Sequence, residues 1–382
     1  MPAKPRFVWV AGIYSTILPM SDSSPLPEIN PVRRLTRADL PVFARTVVIA
    51  FIGGAIFNAF NLPLPWMLGA MMATGSVTLM RVETNMDVRL RTLMIIILGV
   101  LLGSAFSPEI LDRATLWPIT LVSLAGYVLL STVMGYFYFR LAGFEPKTAF
   151  FSGVPGGLNE MVTLTGTMGG DERQVSVAHT TRIFLVVMVL PFLFRVIEDF
   201  DPALRSFSGD GAPLTIVDFV MLAGSAVIGL YVARFLRLPA PHLAGPMVAS
   251  AAVHLLGLTH ASPPVILVAA AQILLGASVG ARFAGLTYRD LGRVLRLGGI
   301  ATGILLLITG FFAVGLNALT GIPIESLVLA FSPGGLTEMS LVALALNVDT
   351  AFVATHHIVR ITVVVMLVPL LFKLMRRHGM IG

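Results

Sequence analysis

The chain is 382 residues long, 56% apolar and only 12% charged, with a net charge of +6, whereas an average soluble domain is about 25% charged and about 45–50% apolar. Together with 36 glycines and 24 prolines, this excludes a soluble globular protein and predicts an all-α polytopic membrane protein, since Gly and Pro are commoner in membrane helices than in soluble ones. Unbroken apolar runs exclude an outer-membrane barrel, whose strands alternate, and the absence of cysteine excludes disulfides, thiolate metal sites and a cysteine nucleophile.

Residues 1–41 hold Lys4 and Arg6, an apolar stretch from Phe7 to Met20, a Ser/Pro-rich piece from Ser21 to Pro31, and then Arg33, Arg34 and Arg37. The stretch is too short to span and no small-x-small cleavage site precedes Ser21, so it reads as a loosely ordered or interfacial leader rather than a signal peptide. Spans follow at 42–60, 64–80, 92–107 and 116–139, then a Gly/Pro-broken segment at 148–168 and a span at 174–197. After a polar linker come 216–236, 242–259, 264–281 and 298–318, a second broken segment at 324–347, and 351–375.

The second series copies the first. Pro155-Gly156-Gly157-Leu158-Asn159-Glu160-Met161 recurs as Pro333-Gly334-Gly335-Leu336-Thr337-Glu338-Met339, an offset of 178 with six of seven positions identical. At the same offset Asp171 matches Asp349, His179 matches His357, Arg182 matches Arg360 and Pro191 matches Pro369. Leu62-Pro63-x-Pro65 matches Leu238-Pro239-x-Pro241 at 176, and Gly99, Gly103 and Phe106 match Gly276, Gly280 and Phe283 at 177. The chain is therefore one duplicated unit, divided as leader 1–41, first repeat 42–198, linker 199–214, second repeat 215–376 and tail 377–382.

Lys and Arg collect in cytoplasmic loops. If each broken segment enters and leaves on one side and the N-terminus is inside, 20 of the 26 basic residues fall inside. If the broken segments cross fully, the loop from Arg282 to Arg296 falls outside. The first arrangement predicts about five crossings per repeat plus the broken segment, and hence inverted repeats. It puts both termini in the cytoplasm, in a bacterial inner membrane.

Pro-Gly-Gly inside an apolar segment breaks a helix, because Pro lacks the N–H and Gly resists helix weakly. The freed backbone groups are tolerated at membrane depth only beside protein or a water-filled cavity. Glu160 and Glu338 follow the breaks by three residues, in the first turn of the resuming half-helix, where exposed N–H groups stabilise a carboxylate. A carboxylate at that depth costs at least about 2.5 kcal/mol on insertion scales, so each reads as a site for a proton or cation. The bland alternative is that each only caps its half-helix or pairs with an arginine. Arg182 and Arg360 sit three residues after His179 and His357, on the same helix face, and are expected as counter-ions of the Glu in their own half. The histidines are either packing residues or proton relays. Asp171 and Asp349 read as N-caps, and Gly99, Gly103, Gly276 and Gly280 as close-packing positions. Ser152, Asn159, Thr163, Thr165, Ser332 and Thr337 would add polar groups near the breaks.

The duplicated Pro-Gly-Gly-x-x-Glu-Met segment, the Leu-Pro-x-Pro helix start and the His-x-x-Arg helix together resemble the bacterial AbrB-type membrane protein family, built from two membrane AbrB duplication units. The resemblance covers about residues 42–376. That family carries two labels, ammonia monooxygenase and regulator of gene expression. Its layout is similar to the cation:proton antiporter and anion transporter group, whose inverted halves each contain a broken helix. The resemblance implies a transport-type core at Pro155–Gly157 and Pro333–Gly335, and no particular substrate.

Three functions compete. A secondary-transporter-like protein would move a small solute or ion, proton-coupled through the two glutamates, between the broken segments. A membrane monooxygenase needs clustered ligands, and seven histidines with no i, i+4 pair in a span disfavour it, so no enzyme activity, metal or cofactor is expected. A sensor that alters gene expression would have to act indirectly, for want of a DNA-binding module. The expected partners are the lipid bilayer and the solute or ion, with no nucleic acid and with a homo-oligomer left open.

Overall fold

The structure is a computed structural model that describes residues 32–106, 108, 114–197, 215–284, 286 and 288–380. The linker at 199–214 and the leader up to residue 31 lie outside the described residues. The first repeat consists of α1 (Leu40–Ala59), α2 (Pro65–Leu79), α3 (Val88–Gly103), α4 (Trp117–Leu141), α5 (Pro146–Gly153), α6 (Leu158–Met168) and α7 (Glu172–Ile197). The second repeats the order as α8 (Ile216–Phe235), α9 (Pro241–Leu255), α10 (Val265–Gly280), α11 (Tyr288–Thr320), α12 (Ile324–Phe331), α13 (Leu336–Ala345) and α14 (Thr350–Arg377). Apart from a two-residue parallel bridge between Val32–Arg33 and Met86–Asp87, the described regular structure is helical.

Among the described residues, seven helices are long and apolar enough to cross a membrane, so the protein is an all-α polytopic membrane protein. Phe51 and Ile56 on α1, Phe137 on α4, Phe219 and Ile228 on α8, and Leu307 and Phe311 on α11 are exposed, as an apolar solvent requires. The helix α11 begins ten residues before the span read from hydropathy. Charge ends an apolar run at Arg296, while the helix itself continues out of the apolar layer.

Two groups of helices share the work. α1, α2, α3, α8, α9 and α10 pack into a panel, and α4–α7 with α11–α14 form a core that meets the panel at places that include α13 and α14 on α3 and Phe184 of α7 on Phe283. Within the panel α2 packs on α10 and α9 on α3, and within the core α11 packs on α7 and α4 on α14. Each pair exchanges copies, the signature of a two-fold relation.

The direction of that relation follows from the glycines. Gly99 lies against Leu243 and Met247, and Gly103 one turn later against Met247 and Ala251, so α3 and α9 run parallel. Gly276 against Met67 and Gly280 against Met71 and Gly75 make α10 parallel to α2 in the same way. A side chain at any of the four would meet facing backbone, which is why small residues are required. The segment after α2 folds back at once, with Thr84 Oγ1 2.9 Å from Thr78 Oγ1 and Asn85 N donating to Thr46 Oγ1. Helix α3 therefore starts at the end where α2 stops and runs antiparallel to it. Since α9, the copy of α2, runs with α3, the repeats are inverted.

The Leu-Pro-x-Pro segments start helices as expected. Leu64 and Ala240 adopt left-handed conformations, φ 45° and 50°, immediately before α2 and α9, each of which opens on a proline. Proline at the first helical position loses nothing, since its N–H would be an orphan there.

Candidate functional site

α5 ends because Val154 precedes Pro155 and is driven out of the helical region, to φ −66° and ψ 131°. Gly157 is extended and α6 resumes from it. The returning strand of this hairpin comes back to its start: Asp171 N donates to Thr148 Oγ1 at 3.0 Å. Residues 148–171 therefore enter and leave on one side. The second segment does the same, since Pro323, Glu325 and Ser326 line one cavity with Leu346, Asn347 and Asp349. Both broken segments are re-entrant hairpins, which accounts for the odd crossing number and the inversion.

α7 runs beside α5 in the same direction, with Asp171 by Thr148, His179 by Phe151 and Arg182 by Val154. Arg182 is ten residues in from the start of α7, about 15 Å at the helical rise, or roughly half a hydrocarbon core of about 30 Å. Arg360 is ten residues into α14. The tips thus reach mid-depth from opposite sides. Arg182 and Arg360 lie within electrostatic reach of one another, and Tyr127 is a neighbour of both. Gly156 at the first tip packs on Val364 of α14.

The breaks are closed by one device used twice. Pro155 has no N–H to give the Phe151 carbonyl, its i−4 partner, and His179 Nε2 donates to that oxygen instead at 2.9 Å. Arg182 Nη1 and Nη2 donate to the carbonyls of Val154 and Gly156, both at 2.8 Å. In the second repeat His357 Nε2 donates to Leu329, which Pro333 leaves without a partner, at 2.9 Å. Arg360 donates to Ser332 and, at 2.9 Å, to Gly334. Each arginine also donates to the Nδ1 of its histidine, at 3.1 and 3.0 Å. A carbonyl only accepts and a guanidinium only donates, so each imidazole must be neutral, with its proton on Nε2.

This corrects two expectations. The arginines are not counter-ions of the glutamates in their own halves. They satisfy the carbonyl end of α5 and of α12, where the helix dipole is negative and a cation is favoured. The histidines are not proton relays here, because both ring nitrogens are committed and a second proton would face a guanidinium. The hydroxyls are mostly spent as well: Thr163 on Asn159, Thr165 on Met161 and Ser332 on Leu329. Ser152 Oγ is buried without a partner, beside a cavity of about 10 Å³ that Gly153 and Arg182 also line, room for about one water. Asp171 and Asp349 cap α7 and α14, accepting from the N–H of Gln174 and Phe352 respectively.

Glu160 and Glu338 occupy the opposite ends of the breaks, in the first turns of α6 and α13. Each carboxylate folds back over the glycine before its helix, filling the space that a Cβ on Gly157 or Gly335 would need. Both are half-buried. Their surroundings differ. Arg91 on α3 and Arg282 after α10 are electrostatic neighbours of Glu338, and Arg91 Nε donates to Ser278 Oγ at 3.3 Å. Ser340, Leu341 and Val342 of α13 are buried, whereas Asn159 and Thr163 of α6 are exposed and Thr337 is half-buried. In the sequence Arg91 and Arg282 are simply two of the 20 basic residues that fall inside. Their position one turn inside α3 and two residues after Gly280 was the available clue.

The sequence profile of the family described as "Transition state regulatory protein AbrB" matches residues 66–376. A Bacillus subtilis (strain 168) protein named "Uncharacterized protein YhjN" is 28% identical over 357 residues, covering 87% of this chain and 93% of its own. An Escherichia coli (strain K12) protein named "Putative regulator AbrB" is 28% identical over 329 residues, covering 85% and 93%.

Proposed function

The chain belongs to the AbrB family, and from that premise we propose that it is a secondary-transporter-like protein moving a small solute or ion between its two hairpin tips. The observation that carries this is the meeting of two inverted re-entrant hairpins at mid-depth, each with its broken backbone compensated by a cation at the carbonyl end and a carboxylate at the N–H end. Irregular backbone at that depth belongs to a polar cavity, and inverted repeats with discontinuous helices place binding sites at such breaks. Glu160 and Glu338 are the coupling groups, exchanging a proton or cation with the site. Pro155, Gly156, Gly157, Asn159, Pro333, Gly334, Gly335 and Thr337 shape it, while His179, Arg182, His357 and Arg360 hold the tips. The basic-residue distribution supports cytoplasmic termini in a bacterial inner membrane, and the proposal involves no enzymatic step.

The test uses proteoliposomes loaded with a pH-sensitive dye and challenged with small organic acids, amino acids and monovalent cations. At least one solute class should drive proton movement, and Glu160→Gln and Glu338→Gln should abolish it in folded protein. Movement unchanged in both variants would remove the coupling role. The name of the E. coli relative favours a second reading, an effect on gene expression. In this chain that effect would be indirect, through a metabolite moved, and would vanish in the same two variants.

A further inference from the structure

Away from the tips, a cavity of about 190 Å³ lies between the first turns of α7, the beginning of α11 and the end of α4. Its walls are apolar, with Phe139, Phe144 and Leu297 among them. Four polar atoms of its lining are nevertheless buried without a hydrogen-bond partner: Arg173 Nη2, Arg293 Nε, Thr181 Oγ1 and Gln174 Oε1. Buried polar groups are nearly always paired, and an unmade bond on a charged group is the costliest kind. No acidic side chain is among the lining residues described. Of the two acidic residues just before Arg173, Glu172 has its carboxylate against Gly166, and Asp171 caps α7 and accepts from Gln174 Nε2 at 2.8 Å, which commits the amide nitrogen and leaves its oxygen as an acceptor.

We infer that this cavity binds an organic anion: a carboxylate or phosphate-type head between Arg173 and Arg293, a neighbouring hydroxyl or N–H donor on the ligand reaching Gln174, and an apolar body against Phe139, Phe144 and Leu297. Two arginines lining one space with no acidic partner among its described lining residues select a negative charge. An inorganic anion alone would leave the aromatic wall wet, and a neutral ligand would leave both arginines unpaired. The head can come from a soluble organic acid or from an anionic lipid, since the chemistry is shared. Phe139 and Ala178 also line the small cavity beside Arg182, so a ligand here stands next to the first tip. The inference concerns binding and does not rest on the transport reading.

The experiment takes the full chain in neutral maltoside micelles. Octanoate, 2-hydroxyoctanoate, octanol and inorganic phosphate are titrated calorimetrically, and co-purified phosphatidylglycerol is followed by native mass spectrometry. A soluble-acid site gives saturable octanoate binding, tighter for the 2-hydroxy acid, that Arg173→Gln or Arg293→Gln weakens at least tenfold. A lipid site gives phosphatidylglycerol retained by the native chain and lost from the same variants. Thr181→Val, which keeps shape and removes the hydroxyl, should weaken binding several-fold at an unchanged melting temperature, so the test survives if an arginine variant misfolds. Octanol or phosphate binding as well as octanoate overturns the inference. So does equal binding of octanoate and phosphatidylglycerol by native and variant proteins, or binding of neither.

Discussion

The bases of the two hairpins occupy the same register and differ in charge, the basic residues Lys147 and Arg173 belonging to the first alone. At the first, Lys147 opens α5 and Arg173 lines a cavity of about 190 Å³. At the second, an offset of 178 puts Glu325 where Lys147 stands and Ala351 where Arg173 stands, and the cavity of about 550 Å³ is lined by Glu325 and Asp349. The clamps at the tips, by contrast, are the same bond for bond. Duplication has kept what the backbone requires and released what the two faces of the membrane require, where basic residues accumulate on one side only. Between tip and base the halves also differ in bulk. Gly153 lies against the backbone of Gly135, while Phe331, its counterpart, is fully buried. Its ring stacks on Phe312 at 5.9 Å and meets Tyr127 edge-on at 5.5 Å.

This contrast can be broken from both sides. Phe331→Ala should cost about 3–5 kcal/mol, the range for an aromatic ring removed from a packed core, whereas Gly153→Ala should destabilise by collision with Gly135 rather than by a void. Denaturation in micelles distinguishes them, because a small apolar guest should rescue only the first. Next in size, Arg182→Met and Arg360→Met each strand two buried carbonyls, at about 1–3 kcal/mol apiece. The two losses should be equal if the clamps are equivalent, and unequal melting temperatures would refute that. His179→Ala strands the Phe151 carbonyl and should lose about 1–3 kcal/mol, and His357→Ala should lose less, because Ser332 Oγ still donates to Leu329 at 2.9 Å.

The smallest effect belongs outside the bilayer. Partial burial alone would raise the Asp87 carboxyl, but it is outweighed by the N–H groups of Leu90, Leu35 and Arg89 and the Arg89 charge, which hold it below the usual carboxylate range. A depressed folded value contributes stability above the ordinary carboxylate range and loses it as pH falls through the folded value. Asp87→Ala should therefore cost about 1 kcal/mol at neutral pH and progressively less as the medium is acidified below pH 4. A constant difference down to pH 2 would show that the cap is not what the carboxylate supplies.

Much of this fold is legible in the chain because membrane spans advertise themselves by apolar length and duplication by repeated punctuation. The Pro-Gly-Gly segments, the capping aspartates and the Gly99/Gly103 and Gly276/Gly280 pairs all act locally or at fixed spacing. What the sequence hides is the choice among partners for a buried charge. Arg182 could meet either Glu160 or the carbonyls of Val154 and Gly156 that the break leaves open. Both lie a few residues apart, and only the direction of α7 beside α5 decides between them. The neighbours of Glu338 are hidden for a different reason, since Arg91 comes from the other repeat.

The carbonyl that Pro155 orphans is served from a separate helix, and so is the one that Pro333 orphans. A rung lent by a neighbour ties two pieces of chain more firmly than packing does, because pulling them apart in oil would bare three oxygens at the first tip and two at the second, where Ser332 Oγ still serves Leu329. Hairpin and adjoining long helix should therefore stay together as a single block against the panel, which they meet at contacts such as α13 and α14 on α3 and Phe184 on Phe283.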